Sequence, residues 1–243
     1  MPSQLVCRPE QDLPVAVLRV SGTLDLVTGD ALQQAVRRSL SMQPSQLLLD
    51  VHDLEIGDPL GLSALGAVVC QTSDWPNVPI VLCGCDPHTA ETIAASPDCA
   101  KLRYSPDCGT ALAAAGLAPA PPSIRVRLRP VPDACRQVRH LVNQACTAWH
   151  RADLTATASL IATELVANVV RHAHTTMEFT LGLQGGRLSM TVRDGSRRMP
   201  KPVDPTPADP GGRGLRLVRD LTDAWRVLPV PDGKVVWTRL TAA

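Results

Sequence analysis

Aromatic side chains make up only 2% of the 243 residues, a single Tyr, a single Phe and four Trp. Any core must therefore be built from Val, Leu, Ile and Ala, and the stacking platforms that grip single-stranded nucleic acid are missing. A surplus of charge is missing too. The net charge of +1 leaves no basic excess for the phosphates of DNA or RNA, so no direct nucleic-acid contact is expected. No basic n-region followed by an apolar h-region opens the chain, and apolar runs such as "LGAVV" are far too short to span a bilayer. No membrane association is expected, and the cytoplasm is the expected compartment. Lysine is scarce beside arginine, as in proteins of GC-rich bacteria. The eight cysteines match no zinc-ligand spacing: Cys83 and Cys85 form "CGC", and Cys7, Cys70, Cys99, Cys108, Cys135 and Cys146 are scattered. They read as small buried thiols.

What is present is enough apolar material, 44% of the chain, for two modest packed domains. The clearest break is "GLAPAPPS", Gly116 to Ser123, with small residues, three prolines and no periodicity. Domains are expected over 1–116 and 124–243, with a linker over 117–123. In the first, "PVAVLRVSG", "QLLLDV" and "PIVLCG" read as strands, and Thr28 to Leu40, "GLSALGAVV", Ala90 to Ala95 and Thr110 to Ala115 as helices. That alternation predicts a small α/β domain with at least part of its sheet parallel. In the second, "IRVRLRP" alternates Arg125, Arg127 and Arg129 against Val126 and Leu128, which fits a strand with one solvated face. Helices are expected over about Asp133 to Trp149 and Leu154 to Ala173, the latter with Asp153 as N-cap. A hairpin, "MEFTLGLQ" and "RLSMTVRD", turns at Gly185-Gly186; a Pro- and Arg-rich loop, the helix "LRLVRDLTDAW" and a final strand pair follow. Together these predict an α+β sandwich.

The candidate chemistry sits in three places. Within "ATELVANVVRHAH", Glu164, Asn168 and His172 repeat every four residues, while Ile161, Leu165 and Val169 form an apolar face that can pack on a sheet. The polar face is left for a ligand or for water. "RDG", Arg193 to Gly195, ends a strand and reads by itself as a turn. "GGRGLRLV", Gly211 to Val218, opens a helix, whose free N–H groups and positive end suit a phosphate. It is neither a Walker loop, lacking Gly-Lys-Ser/Thr, nor a dinucleotide fingerprint, lacking the preceding strand.

The order of these parts (Glu/Asn helix, two strands, Asp-Gly, long loop, Gly-x-Gly before a helix, closing strand) resembles the Bergerat-type ATPases over about Ile124 to Leu240. That fold is shared by sensor histidine kinases, type II topoisomerases and the bacterial anti-sigma factor serine/threonine kinases, and the compact size and "GKVVW" are most similar to the last. The resemblance implies ATP and Mg²⁺ as cofactors. It assigns Asn168 to Mg²⁺, Asp194 to the adenine amino group, Gly195 to close approach of the base, and Gly212, Arg213 and Gly214 to the phosphates. Ser196 to Gly211 becomes the ATP lid, and Glu164 the general base that takes the proton of an attacking serine hydroxyl. The last strand departs from the pattern: it has Val235 after Lys234, where relatives often have a threonine near adenine.

The first domain resembles the STAS domain of anti-sigma factor antagonists across most of Met1 to Gly116. The resemblance rests on Gly22, Leu24 and Asp25 after a strand, the buried "LLLDV", and Asp58 with Gly61 before a helix. In regulated members the residue after that aspartate is the phosphorylated serine or threonine; here it is Pro59, then Leu60. Neither carries a hydroxyl, and Ser63 is the nearest substitute. The resemblance thus implies a serine/threonine kinase acting on a separate STAS antagonist and controlling sigma-factor availability, with pairing through the ATPase domain left open. The alternative, favoured by Pro59, is a nucleotide-gated binding switch that phosphorylates nothing. A sensor histidine kinase fragment fits less well, because no His-bearing dimerisation helix precedes the ATPase part, and a DNA-topology enzyme is poorer still on size.

Overall fold

The structure, a computed structural model, describes residues 4–11, 13–73, 78–95, 102–117, 121–200 and 213–241. It divides into two compact units, Met1–Ala120 and Pro121–Ala243.

In the first unit five strands lie in the order β1-β2-β3-β4-β5. These are β1 (Leu5–Gln11), β2 (Val15–Leu24), β3 (Gln46–Ile56), β4 (Ile80–Cys83) and β5 (Arg103–Ser105). β1 pairs antiparallel with β2; the other pairings are parallel. Parallel neighbours need crossovers, and these are supplied by α1 (Gly29–Ser41), α2 (Pro59–Ser73) and α3 (Pro87–Ala95), with α4 (Cys108–Leu117) after the last strand. The unbroken "LLLDV" run follows from burial on both sheet faces. Leu47 and Leu49 join the larger core with Leu18, Leu32, Val36 and Leu82, whereas Leu48 joins Val17, Val81 and Ala111 on the α4 side. Strands β1 and β5 were not expected from the sequence. The first is an edge strand, mostly exposed, and the second has three residues.

The second unit has a wholly antiparallel sheet, order β6-β7-β8-β10-β9. Its strands are β6 (Ser123–Leu128), β7 (Met177–Gln184), β8 (Arg187–Asp194), β9 (Ala224–Val230) and β10 (Gly233–Leu240), and its helices α5 (Asp133–Ala148), α6 (Thr155–Asn168) and α7 (Arg213–Leu221). Phe179, Leu181, Met190, Val192 and Val236 on one sheet face meet Val138, Val142, Ile161, Leu165 and Val166 from the helices in one core. The fold class is the expected one, a small α/β domain followed by an α+β sandwich. The β7–β8 turn falls on Gly185 and Gly186, both at positive φ (55° and 76°), where a side chain would be strained.

Local details correct the sequence reading. Asp153 does not cap α6: it lies in a 3₁₀ turn, Ala152–Leu154, and pairs with Arg151 at 2.9 Å, and α6 begins after Leu154 without a side-chain cap. The α-helix stops at Asn168 and continues as a π turn, Val169–Ala173, closed by His174 in the left-handed region. Helix α7 ends at Leu221, because Ala224 and Trp225 pair with Arg239 and Thr238 of β10; strand pairing overrides the local helical pattern. By length and composition alone the helical stretch Ala152–Ala173 is long and apolar enough to cross a membrane. Its apolar side is occupied by the core of this unit.

Gly22 has φ of +99°, and a Cβ there would collide with the carbonyl oxygen of Gln4. Gly22→Ala is therefore expected to destabilise the protein by about 1–3 kcal/mol in urea denaturation. Gly116→Ala, with none of the described residues within 4 Å, should be neutral or stabilising by up to about 1 kcal/mol, since it sits in a helix.

Candidate functional site

Helix α6 divides as its periodicity predicts. Ile161, Leu165, Val166 and Val169 are buried, whereas Glu164 and Asn168 are half-buried and His172 is exposed. Asn168 is the last α-helical residue before the π turn, a local widening that recurs at functional sites. Two turns beyond Glu164, the Arg171 guanidinium lies 3.6 Å from its Oε2.

The first turn of α7 arrives at the same place. A Cβ at Gly214 would overlap the Glu164 carboxylate, so glycine lets the helix start pack directly on it. The N-terminal end of a helix is electrostatically suited to such an anion and to a phosphate alike. Gly212 lies outside the described residues, as do 201–211 of the expected lid; for Arg213 only the backbone, the first residue of α7, is described. The described start of the loop is tied down by Arg197, which donates to the Pro231 carbonyl at 2.6 Å and 3.1 Å.

Asp194 ends β8, directly opposite Met177 of β7 and Lys234 of β10. Opposite residues in a sheet share a face, here the face on which Val192 and Val236 enter the core. The side chains of Asp194 and Lys234 are 1% and 7% exposed, and Nζ stands 2.8 Å from Oδ1. Oδ1 also accepts from the Ser196 N–H at 2.8 Å, and Nζ also donates to the Ser196 carbonyl at 3.2 Å. Oδ2 is buried and has no hydrogen-bond partner among the described residues. A buried carboxylate oxygen without a donor is costly. Gly195 follows, its N–H donating to Thr175 Oγ1 at 3.0 Å, and Gly233 brings β10 so close that a Cβ there would collide with the Asp194 carbonyl.

The residues fit a magnesium nucleotide in three respects: the open acceptor at Asp194, the glycine start of α7, and an amide at Asn168. Sequence reasoning missed Lys234 and Arg171 as members of this group. Lys234 had a signal, being one of three lysines in the chain and inside a strand that is otherwise apolar at that end. Val235, on the strand where the resembled family often has a threonine near adenine, is buried and pairs with Arg193 and Leu228.

In the first unit Asp58 receives the Gly61 N–H on Oδ1 at 2.7 Å and so caps α2, and Pro59 is the first helical residue, a position that suits proline. Leu60 and Ser63 are exposed. The described cysteines Cys7, Cys83, Cys85, Cys108, Cys135 and Cys146 are free thiols, and burial pushes each of them above the usual thiol range.

Residues 8–107 match the STAS domain family and residues 128–240 the histidine kinase-like ATPase domain family. No curated protein matches the chain significantly. Among solved structures, an anti-sigma factor antagonist from Mycobacterium paratuberculosis is 26% identical over 47% of this chain and 96% of its own, with a TM-score of 0.41. The RsbU and RsbW domains of a Mycobacterium tuberculosis protein are 18% identical over 49% of this chain, which spans 32% of theirs, with a TM-score of 0.39. A blue-light activated histidine kinase domain from Erythrobacter litoralis is 19% identical over 54% of this chain and 68% of its own, with a TM-score of 0.31. The protein thus joins a STAS domain to a nucleotide-binding, histidine kinase-like ATPase domain of the Bergerat type.

Proposed function

We propose that the chain is an ATP-dependent regulator of the partner-switching kind in the bacterial cytoplasm. In this reading its ATPase domain phosphorylates a serine or threonine of a separate STAS antagonist and thereby controls the availability of a sigma factor. The observation that carries the nucleotide reading is the buried Asp194 carboxylate with Oδ2 open, in the same sandwich as the Glu164–Asn168 face. Asp194 would accept from the adenine amino group, with Gly195 allowing the base to approach. The Asn168 amide oxygen would hold Mg²⁺, which when bound neutralises phosphate charge. Gly212, Arg213 and Gly214 would wrap the phosphates.

Glu164 would accept the proton of the attacking hydroxyl as its oxygen bonds to the γ-phosphorus and the bond to ADP breaks. Its place against the start of α7 supports that role. A second reading, a nucleotide-gated protein-binding switch without transfer, is favoured by Pro59 at the phosphoacceptor position and by the Arg171 guanidinium 3.6 Å from the would-be base. In either reading the STAS domain, without a hydroxyl at residues 59 and 60, docks on this or another ATPase domain outside a phosphorylation cycle. Pairing of two copies through the ATPase domain belongs to the same proposal.

Two sets of variants separate these readings. In calorimetry Asn168→Ala should bind ATP at least about tenfold more weakly than the wild type in Mg²⁺ and nearly as well in EDTA, whereas Asp194→Asn should lose nucleotide under both conditions. With labelled ATP, Mg²⁺ and a panel of STAS proteins from the same cell, the wild type should transfer phosphate and Glu164→Gln should bind ATP without transferring it. Transfer undiminished in Glu164→Gln would remove Glu164 as the base, and no transfer by the wild type would select the binding switch.

A further inference from the structure

The Lys234–Asp194 pair does more than neutralise a buried charge. An ammonium has three N–H donors; one is used on Asp194 Oδ1 and one on the Ser196 carbonyl. Asp194 Oδ1 already takes two donors, Lys234 Nζ and the Ser196 N–H, while Oδ2 takes none. Among the described residues the pair thus leaves one ammonium N–H and Oδ2 without a partner, on two side chains that the β8–β10 register sets opposite each other. A lysine that merely replaced the ligand would occupy the open oxygen. This one holds the other oxygen and leaves Oδ2 available.

An adjacent donor and acceptor match a heterocycle edge that offers an acceptor beside a donor. Adenine offers this arrangement at ring nitrogen N1, on its Watson–Crick edge, as well as at N7, each beside the exocyclic amino group. Building on the nucleotide reading above, we propose that Lys234 is a base-reading residue. It donates a hydrogen bond to N1 of adenine while Asp194 Oδ2 accepts from the neighbouring amino group, so that two protein side chains read the base directly. The bond to N1 comes from a charged donor shielded from water, where such bonds are strongest. The lysine thus adds affinity and a chemical requirement at N1.

The test is calorimetric titration of the full chain in Mg²⁺ with ATP, GTP and 1-deaza-ATP, in which a C–H replaces N1, using the wild type and Lys234→Met. The wild type should bind 1-deaza-ATP about tenfold more weakly than ATP, the effect of one charge-assisted hydrogen bond, and Lys234→Met should bind the two alike. Equal binding of ATP and 1-deaza-ATP by the wild type overturns the role of Lys234 and leaves the nucleotide site standing. No binding of any nucleotide by the folded wild type removes both. A purely structural lysine would lower both affinities in Lys234→Met and keep their ratio, which also overturns the proposal. Tighter binding of GTP than ATP by the wild type would show that the pair reads the O6 and N1–H edge of guanine, contradicting the adenine assignment. If Lys234→Met fails to fold, equal binding of ATP and 1-deaza-ATP by the wild type still overturns the proposal, and Lys234→Gln carries the ratio measurement in its place.

Discussion

A carboxylate held out of water needs a cation and further donors beside it, and one end of the second unit is arranged around that need. Asp194 closes β8 on the core face, and the antiparallel register with β10 sets Lys234 opposite it. Gly233 permits the close approach of the two strands, and Ser196 adds a donor and an acceptor from its backbone. These contacts satisfy one carboxylate oxygen twice and leave the other unserved. Such an imbalance lowers stability in the free protein, and in the proposed reading a ligand that brings an N–H relieves it.

The helix facing the sheet meets a parallel constraint. Its apolar side must fill the core with Ile161, Leu165, Val166 and Val169, so Glu164 and Asn168 have only the opposite side to occupy. The start of α7 packs on that side at Gly214, which has no side chain to displace the Glu164 carboxylate. Core packing and site geometry are thus consequences of the same helical period, with the π turn after Asn168 marking where the regular ladder gives way.

Much of this was legible in the sequence because it is local. The period-four stripe of α6, the Gly185-Gly186 hairpin and the buried run of β3 each declare themselves within a dozen residues. Strand β1 did not, because its state depends on pairing with β2 rather than on alternation of its own. The end of α7 was misread because Ala224 and Trp225 are committed to β10, a contact local propensity cannot register. Asp153 looked like a cap but found Arg151 first. Of the candidate site, the order of motifs was readable; the partner of Asp194, forty positions away, was not, since only the register of two strands brings Lys234 to it.

In the proposed complex the unpaired oxygen of Asp194 takes a hydrogen from the amino group of a bound purine. Titrating the protein in Mg²⁺ with ATP and with N6,N6-dimethyl-ATP, whose amino nitrogen has no hydrogen to give, tests it most directly. Heat of binding is expected with ATP and none with the dimethylated nucleotide. Equal binding of the two, or no binding of ATP by folded protein, would contradict it.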